Sequence, residues 1–181
     1  MPAGVASATQ ALLARRYSAR LNHPVNRMTT RIVTGVVDVV IIRRVGRSWR
    51  VLTLERAKGV RSTGAWEIVH GSIEPGETPV EAAKREVREE TALTIHRLYT
   101  ITANPFYLAR ADTLQISLAF AAVVKSAKFT LGDEHSAGKW QTLGAAEKRL
   151  AWPRTHDLLR HVAWILRSGN AGPLEGVLRA Q

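Results

Sequence analysis

The sequence contains no cysteine. That excludes disulfides, thiolate nucleophiles, iron–sulfur clusters and cysteine-ligated zinc, and it fits a reducing compartment. Long apolar runs are also missing. The longest, Val36 to Ile42, is interrupted by Asp38 and falls far short of the ~20 residues that a membrane-spanning helix needs. Acid is absent from the front of the chain, where no Asp or Glu precedes Asp38 while Arg15, Arg16, Arg20, Arg27 and Arg31 do. What remains is 181 residues, 45% hydrophobic and 23% charged, with a net charge of +11. Such a chain has material for one globular core plus an appendage, and its charge favours phosphates, nucleotides or nucleic acid as partners.

The stretch from Met1 to Arg27 is rich in Ala, Ser and Arg. Three readings fit it: a basic tail ahead of a start at Met28, an organelle-targeting presequence, or an ordered helix. Its apolar patch, Ala11 to Ala14, is too short for a secretory segment, so a cytoplasmic location is expected, with organelle targeting as the alternative. The expected layout is a flexible basic extension over 1–27, a domain over 28–168 and a tail over 169–181.

Within the domain, Arg31 to Arg44 is dense in β-branched residues and reads as a mostly buried strand, with Arg50 to Arg56 returning after a turn. Lys58 to Gly64 reads as a basic loop, Ala65 to Ile73 as one short strand and Glu74 to Glu77 as a turn. Thr78, Pro79 and Glu81 then make a capping box with proline at the first helical position, predicting a helix from Pro79 to about Thr91. Leu93 to Ile101, Thr113 to Lys125 and Lys139 to Leu143 read as strands. Arg154 to Arg167 has the spacing of an amphipathic helix, and Ser168 to Pro173 that of a flexible exit. The expectation is an α+β fold with a mixed sheet, or a three-layer α/β/α domain.

On a helical wheel Glu86, Glu89 and Glu90 share an arc of about 100°, beside an apolar stripe of Val80, Ala83 and Val87. Three like charges on one side repel, and a hard divalent cation such as Mg²⁺ turns that repulsion into binding. Taken alone, three acids on a helix read first as a solvated face paired with Lys84, Arg85 and Arg88. The spacing around them decides otherwise. Gly71, five residues, Glu77, seven residues, Arg85-Glu86, Val87 and then Glu89-Glu90 fix six positions. Chance would produce that match roughly once in ten million starts.

This pattern resembles the box of the Nudix hydrolase family, and the resemblance extends from about Thr29 to Leu166. It implies a Nudix-type α/β/α sandwich with a mixed sheet. It implies Mg²⁺, or Mn²⁺, on Glu86, Glu89 and Glu90, with the backbone carbonyl of His70 completing the metal shell. Glu77 would pair with Arg85 and hold the loop to the helix, with Gly71 as the box glycine. Glu134 is similar to the downstream glutamate that many members use as a further ligand or general base. One position departs from the pattern: the family's glycine near the helix end is Ala92 here. The stretches 66–72 and 134–152 also resemble bacterial dihydroneopterin-triphosphate pyrophosphatases.

Further candidates are Arg56, at a strand end and equally readable as a surface cation, and Lys58, Arg61 and Lys139 as cations lining a triphosphate channel, for which a solvated basic face is the default reading. Phe106, Tyr107 and Trp140 are candidates to stack a base, against core or rim roles. The spacing of His156 and His161 does not suit a helical metal pair, so both read as structural. The implied reaction is hydrolysis of a (deoxy)nucleoside or pterin triphosphate to monophosphate and pyrophosphate, with Arg85, Glu86, Glu89, Glu90 and Glu134 in the catalytic set. Arg56, Lys58, Lys139 and Trp140 would bind substrate. Alternatives are hydrolysis of ADP-ribose or a dinucleoside polyphosphate, or a non-catalytic nucleotide- or RNA-binding module. The partner expected is a nucleotide-type small molecule, not a membrane, with nucleic acid second to it. A homodimer is a further expectation carried by the resemblance.

Overall fold

The Val- and Ile-rich segment forms one long strand, β1 (Arg31–Val45), that turns into β2 (Ser48–Arg56). In this computed structural model, residues 30–181 are described, and the readings of 1–27 lie outside them. After β2 come β3 (Trp66–Glu67), β4 (Val69–Ser72) and helix α1 (Pro79–Thr91). The chain continues through β5 (Ile95–Leu108), β6 (Thr113–Val124) and β7 (His135–Thr142). Helices α2 (Leu143–Arg149), α3 (Pro153–Ile165) and the single turn α4 (Glu175–Leu178) follow. The sheet is mixed, in the order β3-β2-β1-β6-β5, with β4 paired to β1 and β7 to β2. The β1–β6 pair is parallel and the other pairs are antiparallel.

The strands alternate between two buried layers, as a sheet covered on both faces must. Val39, Ile41 and Leu54 pack with Ala82, Ala83 and Val87 of α1. Val40, Ile42 and Tyr99 face the other way and pack with Leu158, Leu159 and Val162 of α3. The result is the expected α/β/α sandwich. Asp38 shares the α3 face with Val40, and its side chain is fully buried there.

Three expectations change. The single strand over Ala65 to Ile73 is two, because β1 and β2 pair only near their hairpin, between Ile42–Val45 and Ser48–Val51. Before that point the two strands part, and the segment pairs first with β2 and then with β1. The strand expected to stop at Ile101 continues to Leu108, pairing through Pro105 with Ile116 of β6. A proline is tolerated there because β5 is an edge strand in the path. Ser168 to Pro173 and the tail do not run free, since the Ala180 N–H donates to the Leu98 carbonyl and Tyr99 donates to Glu175.

Candidate active site

Helix α1 starts as the capping box requires: Thr78 Oγ1 accepts from the Glu81 N–H, and Glu81 Oε2 accepts from the Thr78 N–H. Its apolar stripe is buried against the sheet, which turns the acidic side toward the 70–72 end of β4. The helix ends at Ala92, whose left-handed backbone (φ 54°, ψ 16°) lets its N–H donate to the Arg88 carbonyl. The following loop docks on this end. The Thr130 and Gly132 N–H groups donate to the Thr91 and Glu90 carbonyls. A Cβ at Gly132 would lie 2.7 Å from the Glu89 carbonyl oxygen, so only glycine allows this approach. The docked loop carries Glu134 to the acidic helix.

The outcome is a cleft of about 490 Å³ lined by Glu67, Glu86, Glu89, Glu90 and Glu134, with Arg56, Arg61 and Arg85 among them. Arg85 is the hub. It donates to both oxygens of Glu77 at 3.0 Å and to the Ser72 carbonyl at 2.7 Å. It also donates to Glu86 at 2.8 Å and Glu89 at 3.0 Å. These bonds, the Glu77 pair first, hold its guanidinium charged far more firmly than usual. Arg56 is a second hub, donating to Glu134 at 2.6 Å and contacting Glu67 at 3.2 Å. Glu67 in turn meets His135 at 3.3 Å, and His135 lies 3.6 Å from Glu90.

Three features suit this cluster to a hard divalent cation. The Glu90 carboxyl is buried, and its Oε2 has no hydrogen-bond partner. Burial first, then the charges of Glu86 and Glu67, push its pKa up to about 9, so a cation at this carboxyl would relieve an unfavourable charge. A Cβ on Gly71 would lie 1.8 Å from Glu86 Cδ, so the glycine makes the space that the Glu86 carboxylate fills. The donor set is all oxygen, as Mg²⁺ prefers. Among the described residues no three acidic or histidine side chains already converge as a closed ligand set, because Arg85 draws Glu86 and Glu89 toward itself.

The structure brings together Arg56, His70, Gly71, Arg85, Glu86, Glu89, Glu90 and Glu134, with Glu77 tied in through Arg85. It does not bring in Lys58, Lys139 or Trp140. Lys58 is exposed on its loop, Lys139 pairs with Thr53 across β2, and Trp140 packs on Phe129 and donates to the Ala127 carbonyl. Their exclusion follows from the pleat and the loop path, which single-sequence spacing does not reveal. His156 is structural, its ring meeting the Leu150 carbonyl at 3.0 Å. Sequence reasoning missed Glu67, His135 and Asp38. Asp38 bonds the His70 ring at 2.8 Å and meets Arg154 at 3.4 Å. Its signal was a lone acid inside an apolar strand, which needs a partner wherever it is buried.

A sequence model of the NUDIX domain matches residues 33–162. The chain belongs to the Nudix family. An octanoyltransferase of Myxococcus xanthus is 32% identical to this Nudix chain over 127 residues, covering 68% of the chain and 35% of that protein. The chain thus spans about a third of that relative's length. Among solved structures, an Ap4A hydrolase of C. elegans superposes with a TM-score of 0.64 at 23% identity, covering 75% of this chain and 99% of that one. The dihydroneopterin triphosphate pyrophosphohydrolase of E. coli superposes with a TM-score of 0.57 at 26% identity, covering 69% and 91%. This Nudix chain has the hydrolase fold, and Nudix hydrolases generally use divalent metals. No helix among its described residues is long and apolar enough to cross a membrane.

Proposed function

We propose that this Nudix hydrolase is a Mg²⁺-dependent pyrophosphohydrolase that converts a (deoxy)nucleoside or pterin triphosphate to its monophosphate and pyrophosphate. The observation that carries the reading is the buried Glu90 oxygen that makes no hydrogen bond, beside Glu86 in a polar cleft. Glu86, Glu89 and Glu90 would hold the ion, with the His70 carbonyl at the cleft wall as a further oxygen. When bound, it supplies charge neutralisation at the phosphoryl oxygens and makes attacking water more acidic. Glu134 is the proposed proton acceptor, because it is exposed at the cleft and Arg56 fixes its orientation. Arg85 is committed to Glu77, Glu86 and Glu89, so its part is to position the acids rather than to grip phosphate. Arg61 lines the cleft from the loop that follows β2, where its carbonyl accepts from Arg56, and is the cation best placed for a distal phosphate. Water attacks one phosphorus, the bridging P–O bond breaks, and pyrophosphate leaves with that oxygen.

The test is a panel with Mg²⁺: nucleoside triphosphates, dihydroneopterin triphosphate, ADP-ribose and diadenosine tetraphosphate, scored for pyrophosphate against orthophosphate. Pyrophosphate from triphosphates is expected. Turnover confined to ADP-ribose or the dinucleotide would replace the substrate assignment, and no turnover of any member would remove the catalytic one.

A further inference from the structure

A second concave region lies at the hairpin end of the sheet, on the side covered by α3. Strand alternation sets it out. Arg44 continues the buried row of Val40 and Ile42, Lys125 that of Ala121 and Val123, and Arg97 that of Tyr99. With β1, β6 and β5 adjacent in the sheet, the three cations stand side by side over two strand spacings, roughly 10 Å. Arg44 lies six residues along β1 from Asp38, which bonds the His70 ring at the cleft. That is about 20 Å along the strand, so this row is separate from the acidic cleft.

The turn after α3 forms the floor. Trp49 Nε1 donates to the Leu166 carbonyl at 2.9 Å and Arg97 Nη2 to the Gly169 carbonyl at 3.2 Å, which pins 166–169 to the sheet. The Arg44 guanidinium lies 5.2 Å over the Trp49 ring. A Cβ at Gly169, whose φ is 104°, would stop 2.9 Å from Arg44 Nη1, so glycine makes room for that approach. Three hollows of about 300, 570 and 480 Å³ adjoin here. Trp164 and Arg167 line the first, which meets the second at Ser168. Arg44 and Arg97 line the second, which meets the third at His96 and Lys125 and reaches Lys128. No Asp or Glu lines any of the three. Among the described residues, Arg44, Lys125, Lys128 and Arg167 join none of the ion pairs. Glu175, the acid that approaches this end, is taken up by Tyr99, the Ala171 N–H and Arg179. Desolvation, and then the charges of Lys125, Arg97 and Arg179, hold the His96 ring below the ordinary imidazole range. Trp164 is 61% exposed, with the Arg167 guanidinium 5.1 Å over its ring.

Cations crowded into acid-free hollows repel one another until an anion arrives, and three adjoining hollows are more than one phosphate fills. We propose that this face is a binding track for single-stranded nucleic acid, with Arg44, Lys125 and Lys128 on backbone phosphates and a base stacked on Trp164. A cationic groove beside an exposed aromatic ring is the combination that holds single strands without reading their sequence. A duplex keeps its bases stacked inside, so only a single strand can offer one to Trp164. A flat lipid surface reaches cations on a rim rather than cations set in hollows. The track does not depend on the hydrolysis proposed for the cleft.

Fluorescence anisotropy with the full chain in EDTA tests it, using a labelled single-stranded RNA of about 20 nucleotides with a 5′-hydroxyl, which offers the cleft no triphosphate. The double variant Arg44→Gln/Lys125→Gln should bind at least tenfold more weakly. It should also flatten the slope of log K against log salt by about 1.4, from two lost phosphate contacts at ~0.7 each. Trp164→Ala should weaken binding at least fivefold and leave that slope unchanged. Arg110→Gln/Lys148→Gln removes the same two charges outside the hollows and should stay within twofold of the natural chain. Melting temperature verifies that each variant folds, and pyrophosphate release from a nucleoside triphosphate should be the same in all of them. No binding of the RNA, equal losses in the two double variants, or binding that Arg44→Gln/Lys125→Gln leaves intact overturns the track. Tighter binding to phosphatidylglycerol vesicles than to the RNA overturns it in favour of a membrane surface. Loss of all hydrolysis with these binding differences retained overturns the proposed reaction and leaves the track standing.

Discussion

At the scale of single residues, the acidic helix shows how position separates roles among identical side chains. Glu90 is buried and Glu89 is half exposed, although both lie on one helical arc. Glu89 contributes little to packing, so Glu89→Gln should lower turnover by orders of magnitude while leaving the melting temperature close to that of the natural protein. Normal activity in that variant would remove Glu89 from the proposed ligand set. Gly71 is a sharper probe, because a Cβ there would overlap the Glu86 carboxylate outright. Gly71→Ala must push Glu86 aside, so Mg²⁺-dependent activity should collapse with the fold retained by circular dichroism. Full activity of that variant would show that Glu86 does not need the place it occupies. The six box positions were legible in the sequence because their spacing is a chemical constraint. Glu67, His135 and Asp38 were not, since nothing in local spacing says that Glu67 meets His135 or that Asp38 meets His70.

At the scale of elements, α1 was readable to its last residue. The Thr78–Glu81 box and Pro79 fix its start, and the apolar stripe fixes the face it buries. Its end carries the one departure from the family pattern. Ala92 adopts φ 54°, a backbone that costs a residue with a Cβ about 1 kcal/mol relative to glycine. Ala92→Gly is therefore expected to raise unfolding free energy by about 1 kcal/mol in urea titrations. A loss of stability would mean that the alanine methyl makes contacts outweighing the backbone strain. The strands were less legible. The strand read as Leu93 to Ile101 runs on through Pro105 to Leu108, because an edge strand can spare one N–H. The division of 65–73 into β3 and β4 depends on β1 and β2 diverging, a property of the sheet and not of that segment.

At the scale of the whole molecule, the acidic cleft opposes its own folding until a cation enters. The folded protein raises the Glu90 pKa from an ordinary 4.5 to about 9, so it holds a proton that the unfolded chain releases. That contribution is fully present below about pH 4.5 and is lost as pH rises through about 9. Without metal, stability should therefore fall from this source on going from pH 6 to pH 8.5. A divalent cation replaces the proton, so the rise in melting temperature on adding Mg²⁺ should be larger at pH 8.5 than at pH 6. Equal rises at both values would disconnect Glu90 from the ion. The sequence by itself determined the family, the layered fold, the catalytic helix and the acids along it, because capping, periodicity and box spacing act over neighbouring residues. Only the tertiary structure decided which side chains reach the cleft, leaving Lys58, Lys139 and Trp140 outside, and which buried groups share a sheet face. Those outcomes follow from strand register and loop docking, which join residues far apart in the chain and leave no local trace.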